Sequence, residues 1–147
     1  MSKPDEPLDF QVAEVLIEVI PRIMRRIRNE MRKIAQKDLT IAQLRILSRL
    51  YQGTSTVSEL ADHHGVSTAA MSKMVSHLDT RELVEKGSNG PDRREVAVAL
   101  TTKGKQTFLS IRRAVRGKVA EDMKLLERET KESALSFLIA MERLYRF

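Results

Sequence analysis

Residues 56–75 decide the fold, and they read TVSELADHHGVSTAAMSKMV. Thr56 with Glu59 forms a capping box, which predicts the start of a short helix. Gly65 predicts a tight turn, because glycine takes the left-handed backbone conformation at little steric cost. Ser67 is then typical of the N-cap of a second helix. This spacing predicts a helix-turn-helix.

The second helix is predicted to have one apolar face and one small, polar face. The residues expected to point inward are Leu60, Val66, Met71, Met74 and Leu78. The residues expected to face outward are Ser67, Thr68, Ala69, Ser72, Lys73 and Ser76, with His77 beside them toward solvent or a phosphate. Small, hydrogen-bonding side chains let a helix enter the major groove of B-DNA, which is about 12 Å wide. The alternative is an ordinary corner between two helices.

A two-stranded hairpin is predicted directly after the helix-turn-helix. Leu83–Lys86 and Glu95–Leu100 alternate as strands do, and the tip between them contains glycine, proline and paired arginines. In a wing beside a recognition helix, Arg93 and Arg94 would lie along a minor groove, where Asp92 would orient one guanidinium. The alternative is a charged, solvated turn.

Amphipathic helices flank this central region. Apolar residues recur every three or four positions over about residues 8–36, where Pro21 is expected to kink the helix or to make it restart. Thr40 with Gln43 forms another capping box, and Thr101 is predicted to cap a fifth helix. A sixth helix follows near the end of the sequence.

The pattern as a whole predicts a mainly α-helical fold with a small β-hairpin wing. Because the outer helices have wide apolar stripes and no sheet to cover, we expect them to pack against a second copy of the chain across a two-fold axis. The expected units are a flexible N-terminus (1–7), an N-terminal dimerisation helix (8–38), a winged helix-turn-helix (39–100) and two C-terminal dimerisation helices (101–147).

Composition narrows the classes of function. The 147 residues carry a net charge of +6, which is consistent with a polyanionic partner. The lack of cysteine excludes a disulfide framework, a thiolate zinc site and a cysteine nucleophile. No catalytic or cofactor-binding motif occurs, so neither an enzyme nor a cofactor is expected. No signal peptide or membrane span is recognisable, so a cytoplasmic protein is expected.

Two further patterns have ordinary interpretations. The arginines and lysines of the first helix, from Arg22 to Lys37, are typical of a solvated face, with contact to a DNA backbone or an anionic membrane as alternatives. His63 and His64 are adjacent and diverge on a helix. They and His77 have no spacing that suits a metal ion, so no metal site is expected.

The chain resembles the MarR family of bacterial winged-helix transcriptional regulators. The matching segments are LTIAQLRIL at residues 39–47, the helix-turn-helix, LVEK at residues 83–86, and DRRE at residues 92–95 followed by LTTKG at residues 100–104. The likeness covers about residues 10–145, and the segment around the wing is its most specific part.

This resemblance implies a homodimer that binds double-stranded DNA and regulates transcription, commonly as a repressor. A small, often phenolic, molecule would release it by entering a cleft between the dimer and DNA-binding regions. By the same likeness, Ser72 and Lys73 hold base-reading positions, Arg94 enters the minor groove and Asp92 anchors it.

Two residues depart from the family pattern. Ala70 stands where threonine is frequent, so one hydrogen bond to DNA is expected to be missing. Glu82 stands where glycine is usual at the end of the recognition helix. Either Glu82 is left-handed, at a steric cost, or the turn differs.

Two other functions stay open at this point. A winged helix can bind only proteins, as an adaptor or anti-repressor, but Lys73, Arg93 and Arg94 favour a nucleic-acid partner. A non-specific architectural DNA binder would have no effector and a specificity ratio near one.

Overall fold

The computed structural model describes residues 6–35, 38–88 and 96–145. The predicted fold class, mainly α-helical with a small wing sheet, is confirmed. The elements in these residues are α1 (Leu8–Ala35), α2 (Ile41–Tyr51), β1 (Ser55–Thr56), α3 (Val57–His64), α4 (Thr68–Thr80), β2 (Val84–Ser88), β3 (Val96–Leu100), α5 (Thr102–Met123) and α6 (Arg128–Leu144).

The helix starts that capping residues predict are present. The Thr40 hydroxyl accepts a hydrogen bond from the Gln43 amide at 3.2 Å, and the Gln43 side-chain oxygen accepts one from the Thr40 amide at 2.9 Å. Thr56 and Glu59 form the same reciprocal pair at the start of α3. Both boxes satisfy amide donors that the first turn of a helix leaves without a partner.

α1 is one continuous helix that contains Pro21, so of the two expected alternatives, a kink or a restart, the restart is wrong. A proline removes a single backbone donor. The turns on either side keep their own hydrogen bonds, and the helix therefore continues through it.

The sheet has three antiparallel strands in the order β1-β3-β2: the predicted pairing of β2 with β3 is confirmed, and β1, which the sequence did not predict, adds the third strand. β1 has two residues, too few to show alternation, and Ser55 lies opposite Val98. β2 is also longer than predicted, because Gly87 and Ser88 pair with β3 instead of forming the hairpin tip.

One cluster of buried apolar side chains joins α2, α3, α4, the sheet and α5. α4 contributes Met71, Val75 and Leu78, which are fully buried and recur at helical spacing. Val66 is 38% exposed, so its predicted inward position is wrong. It follows the left-handed Gly65 outside both helices, and Val75 fills the core instead.

The outer helices keep apolar side chains at the surface of the single chain. No residue of α6 is buried. The most exposed large apolar residues of α1 and α6 are Leu8, Phe10, Ile17, Leu135, Leu138 and Leu144. Within the described ranges, no helix has both the length and the apolar character needed to cross a bilayer.

Candidate nucleic-acid interface

α3 and α4 form the predicted helix-turn-helix. Gly65 is left-handed, with φ 66 and ψ 39, and the Val66 amide donates to the Ala61 carbonyl at 3.1 Å. These features end α3 and redirect the chain. Ala61 is only 1% exposed, as expected where two helices pack closely. The Ser67 hydroxyl then caps α4 by accepting from the Ala70 amide at 3.2 Å.

One face of α4 is open to solvent and carries the predicted DNA-contacting residues. Those that are exposed are Ser67, Thr68, Ala69, Ser72, Lys73 and His77, whereas Ser76 is half-buried. Lys73 has no hydrogen bond or ion pair to any other described residue. Its ammonium is therefore available to a guanine edge or a phosphate.

Lys86 of β2 contacts this face of α4 through its side chain. Lys86 Nζ donates to the Ser76 hydroxyl at 2.9 Å and lies 3.4 Å from a carboxylate oxygen of Asp79. The contact ties β2 to α4, and the Ser76 hydroxyl keeps its own hydrogen for donation. Sequence reasoning missed Lys86, because no local pattern brings a strand residue onto the preceding helix.

His77 is exposed, as predicted, but one of its ring nitrogens is engaged by the protein. Its Nδ1 lies 2.9 Å from Nε2 of Gln43, a residue of α2 that is only 8% exposed. The sequence identifies Gln43 as part of a capping box and gives no sign of this second contact.

The structure at the end of α4 shows which backbone conformation Glu82 adopts. Glu82 has φ 60 and is the one non-glycine residue with positive φ in the described part of the chain. Its amide donates to the Asp79 carbonyl at 2.8 Å, and the Leu83 amide donates to the Leu78 carbonyl at 3.0 Å. This is the Schellman pattern of a glycine-ended helix. Of the two alternatives that the sequence left open, the left-handed turn is therefore the one present, with a glutamate in the position that favours glycine.

Glu82 also has a cationic partner. Lys103 Nζ, at the start of α5, donates to a Glu82 carboxylate oxygen at 2.9 Å. This hydrogen bond, together with the charge of the same ammonium, lowers the pKa of Glu82. The side chain that replaces glycine thus connects α4 to α5.

The predicted wing contacts, Asp92, Arg93 and Arg94, lie outside the described residues. The sheet on both sides of them is described, and the pair formed by Ser88 and Val96 is the last before the tip. The roles of the three wing residues stay predictions.

Comparison with known proteins identifies this arrangement. The family model described as "MarR family" matches residues 37–95, a range that includes α2, the helix-turn-helix and β2. Over residues 37–95 the chain is therefore similar to the MarR family. The chain is also 27% identical, over 107 residues, to "Uncharacterized HTH-type transcriptional regulator YfiV" of Bacillus subtilis strain 168. That match spans 72% of this chain and 67% of the relative.

Solved structures show the same fold. Wild-type MarR (apo form) from E. coli matches with a TM-score of 0.71 at 22% identity, over 89% of this chain and 97% of that one. The transcriptional repressor CouR, bound to a 23-mer DNA duplex, matches with a TM-score of 0.65 at 24% identity, over 93% of this chain and 99% of that one. The fold of this chain is therefore the winged helix with flanking helices.

A cavity of about 1320 Å³ lies between α1, α2, α5 and the end of α6. Small-molecule sites commonly occupy about 300–1,000 Å³, so the space suffices for a ligand. Its apolar lining includes Met24, Ile27, Met31, Leu44 and Phe108. Its charged lining consists of Arg28, Arg45, Arg112 and Glu142, an excess of cations.

The paired histidines of α3 have structural partners. His64 Nδ1 lies 2.7 Å from the Leu60 carbonyl oxygen, so this nitrogen carries the donated hydrogen. Desolvation is the first cause that lowers the pKa of His63, followed by the adjacent His64 and by Arg49. Within the described residues, no group of three or more His, Cys, Asp or Glu side chains is arranged to hold a metal ion.

Proposed function

We propose that this chain is a MarR-family regulator, which binds specific DNA sites as a homodimer with α4 of each protomer in the major groove. The exposed face of α4 is the observation that carries the proposal. Its hydroxyl groups and the Lys73 ammonium face solvent, while Met71, Val75 and Leu78 hold the opposite side in the core. A helix that is rigid on one side and small and polar on the other suits groove insertion.

Selection of genomic fragments by gel shift at moderate salt tests this function. We expect a small set of fragments to be retained in the presence of excess competitor DNA. Equal retention of all fragments would favour the architectural binder, because phosphate contacts alone carry no sequence information. No retention at any protein concentration would favour the protein-interaction module.

The exposed apolar faces of α1 and α6 support the homodimer. Leu135 is 60% exposed and Leu138 is 56% exposed, and apolar areas of this kind mark interfaces. A two-fold axis would let the same helices of two copies cover one another. We expect Leu138→Glu to shift the sedimentation equilibrium toward monomer. Ser133→Glu, on the opposite side of the same helix, is the matched control and should remain dimeric.

We further propose that a small aromatic or phenolic ligand with an anionic group enters the cavity and weakens DNA binding. The apolar lining would contact the ring, and the excess of guanidinium groups would hold the anion. A thermal-shift screen with aromatic carboxylates, each paired with its neutral amide, tests this. Only the carboxylates should stabilise the protein and then release a selected DNA fragment.

Arg112 and Arg113 provide a matched pair of variants for this ligand. Arg112 lines the cavity, whereas its exposed neighbour Arg113 does not. Arg112→Gln should weaken carboxylate binding about tenfold, which corresponds to one charged hydrogen bond. Arg113→Gln should leave it unchanged. Equal effects of the two substitutions would contradict the assignment of the ligand to the cavity.

We also propose that the unliganded protein represses. A dimer bound over a promoter excludes the polymerase by occupying the same DNA. A reporter whose promoter overlaps a selected site should be silenced by the protein and restored by a ligand found in the screen. Increased expression without ligand would instead indicate an activator.

A further inference from the structure

The capping box at the start of α2 fixes the orientation of the Gln43 side-chain amide. A backbone N–H can only donate, and the Thr40 amide lies 2.9 Å from Gln43 Oε1. The Gln43 backbone amide in turn donates to the Thr40 hydroxyl at 3.2 Å. The oxygen end of the amide is therefore held at the cap, and the NH2 end lies 2.9 Å from Nδ1 of His77.

This orientation determines where His77 carries its proton. The NH2 group of Gln43 has hydrogens to donate and no lone pair to offer, so His77 Nδ1 must accept. A neutral imidazole that accepts at one nitrogen carries its hydrogen on the other. Gln43 is buried, and a buried NH2 group without this acceptor would destabilise the fold because its hydrogen bond to water is lost and not replaced.

We infer that Gln43 is a positioning residue, which sets His77 in the Nε2–H tautomer so that α4 presents an additional neutral donor to DNA. His77 lies four residues after Lys73 and hence on the same face of the helix. An Nε2–H group can donate to a phosphate, to guanine O6 or N7, or to thymine O4, and it disfavours the amino groups of cytosine and adenine. This last step rests on the proposed function, whereas the tautomer does not.

Gln43→Glu separates the two roles of Gln43. Glutamate is itself a usual capping-box residue, so the bond to the Thr40 amide is kept. The NH2 group, however, becomes a carboxylate oxygen that can only accept. His77 must then donate from Nδ1, and its tautomer is reversed.

Long-range ¹H–¹⁵N spectra of the free, full-length protein measure the tautomer directly. At about pH 8, an ordinary imidazole is neutral. The wild type should show Nε2 protonated, and Gln43→Glu should show Nδ1 protonated. An Nδ1–H or mixed population in the wild type would overturn the inference, and so would an unchanged spectrum in the variant.

DNA titrations then test the consequence on a selected genomic fragment at the same pH. Gln43→Glu should weaken binding about tenfold with His77 present and markedly less in a His77→Ala background. Equal losses in both backgrounds would overturn the inference, since the added negative charge alone would then explain them. If the wild type binds no fragment, the proposed function is wrong, and the spectra alone decide the positioning role of Gln43.

Discussion

A Cβ atom on Gly104 would lie 1.8 Å from the carbonyl oxygen of Leu83. The same carbonyl accepts a hydrogen bond from the Thr101 amide at 3.2 Å, and the Thr101 hydroxyl donates to the Glu82 carbonyl at 2.6 Å. The first turn of α5 therefore packs directly against the turn that ends α4. A change in the orientation of α5 would be transmitted to α4 through backbone contacts.

Gly104→Ala should destabilise the protein strongly, by about 3 kcal/mol, because backbone atoms on both sides of the contact cannot rotate away. Gly117 is the matched control, since it lies in the same helix and a Cβ there would meet no atom within 4 Å. Gly117→Ala should stabilise by about 1 kcal/mol through its better helix propensity. Urea unfolding measures the stability of both variants. A Gly104→Ala protein as stable as the wild type would contradict the close contact between Gly104 and the Leu83 carbonyl.

Glu82→Gly should raise Tm by roughly 3 °C, because glycine takes the left-handed conformation without a clash at Cβ. The substitution also removes the ion pair with Lys103, but both side chains are more than half exposed and such pairs contribute little. Lys103→Met removes the ion pair alone and should change Tm only slightly. A lower Tm for Glu82→Gly, at equal protein concentration, would mean that the pair outweighs the strain.

The stability difference between the wild type and Glu30→Gln should depend on pH. Glu30 is a buried carboxylate that pairs with Lys33 at 2.9 Å and with Arg26. The hydrogen bond from Lys33 is the first cause that lowers its pKa below the ordinary 4.5. A lowered pKa means that the carboxylate stabilises the fold above the ordinary value and ceases to do so as the pH falls through the lowered one.

Urea unfolding of both proteins between neutral and acidic pH checks this sign. The wild type should be the more stable protein near pH 7, and the difference should shrink below about pH 4. A difference that stays constant over this range would show that Glu30 acts through packing and not through its charge.

Arg94→Ala should weaken DNA binding and reduce the slope of log K against log salt by about one, as the loss of one phosphate contact requires. Lys73→Ala is the informative contrast, because a base-reading lysine should alter the ranking of site variants. Fluorescence anisotropy at several salt concentrations measures both effects. Unchanged affinity and slope for Arg94→Ala would remove the wing from the interface.

The parts of the fold that depend on local chemistry could be predicted from the sequence. Thr40, Thr56, Ser67 and Thr101 cap the helices where the sequence predicts them, because a cap involves residues only three positions apart. Gly65 takes its predicted left-handed turn for the same reason. The exposed face of α4 followed from helical spacing between such well-defined ends.

Contacts between distant residues could not be predicted in this way. Gln43 and His77 are 34 positions apart, and their contact depends on how α2 packs against α4. Lys86 reaches Ser76 only because β2 folds back beside α4. Val66 was misplaced because a helical period was extended through a turn that interrupts it. Packing geometry, which no single-sequence pattern encodes, decides each of these.

Hydroxyl-radical footprinting on a selected genomic site, combined with the mass of the complex, tests the central claim most directly. Two α4 helices related by a two-fold axis should protect two segments whose centres lie about 10 base pairs apart, one turn of B-DNA. The complex should contain two chains per duplex. A single protected segment bound by one chain, or uniform protection of unrelated DNA, would contradict the account.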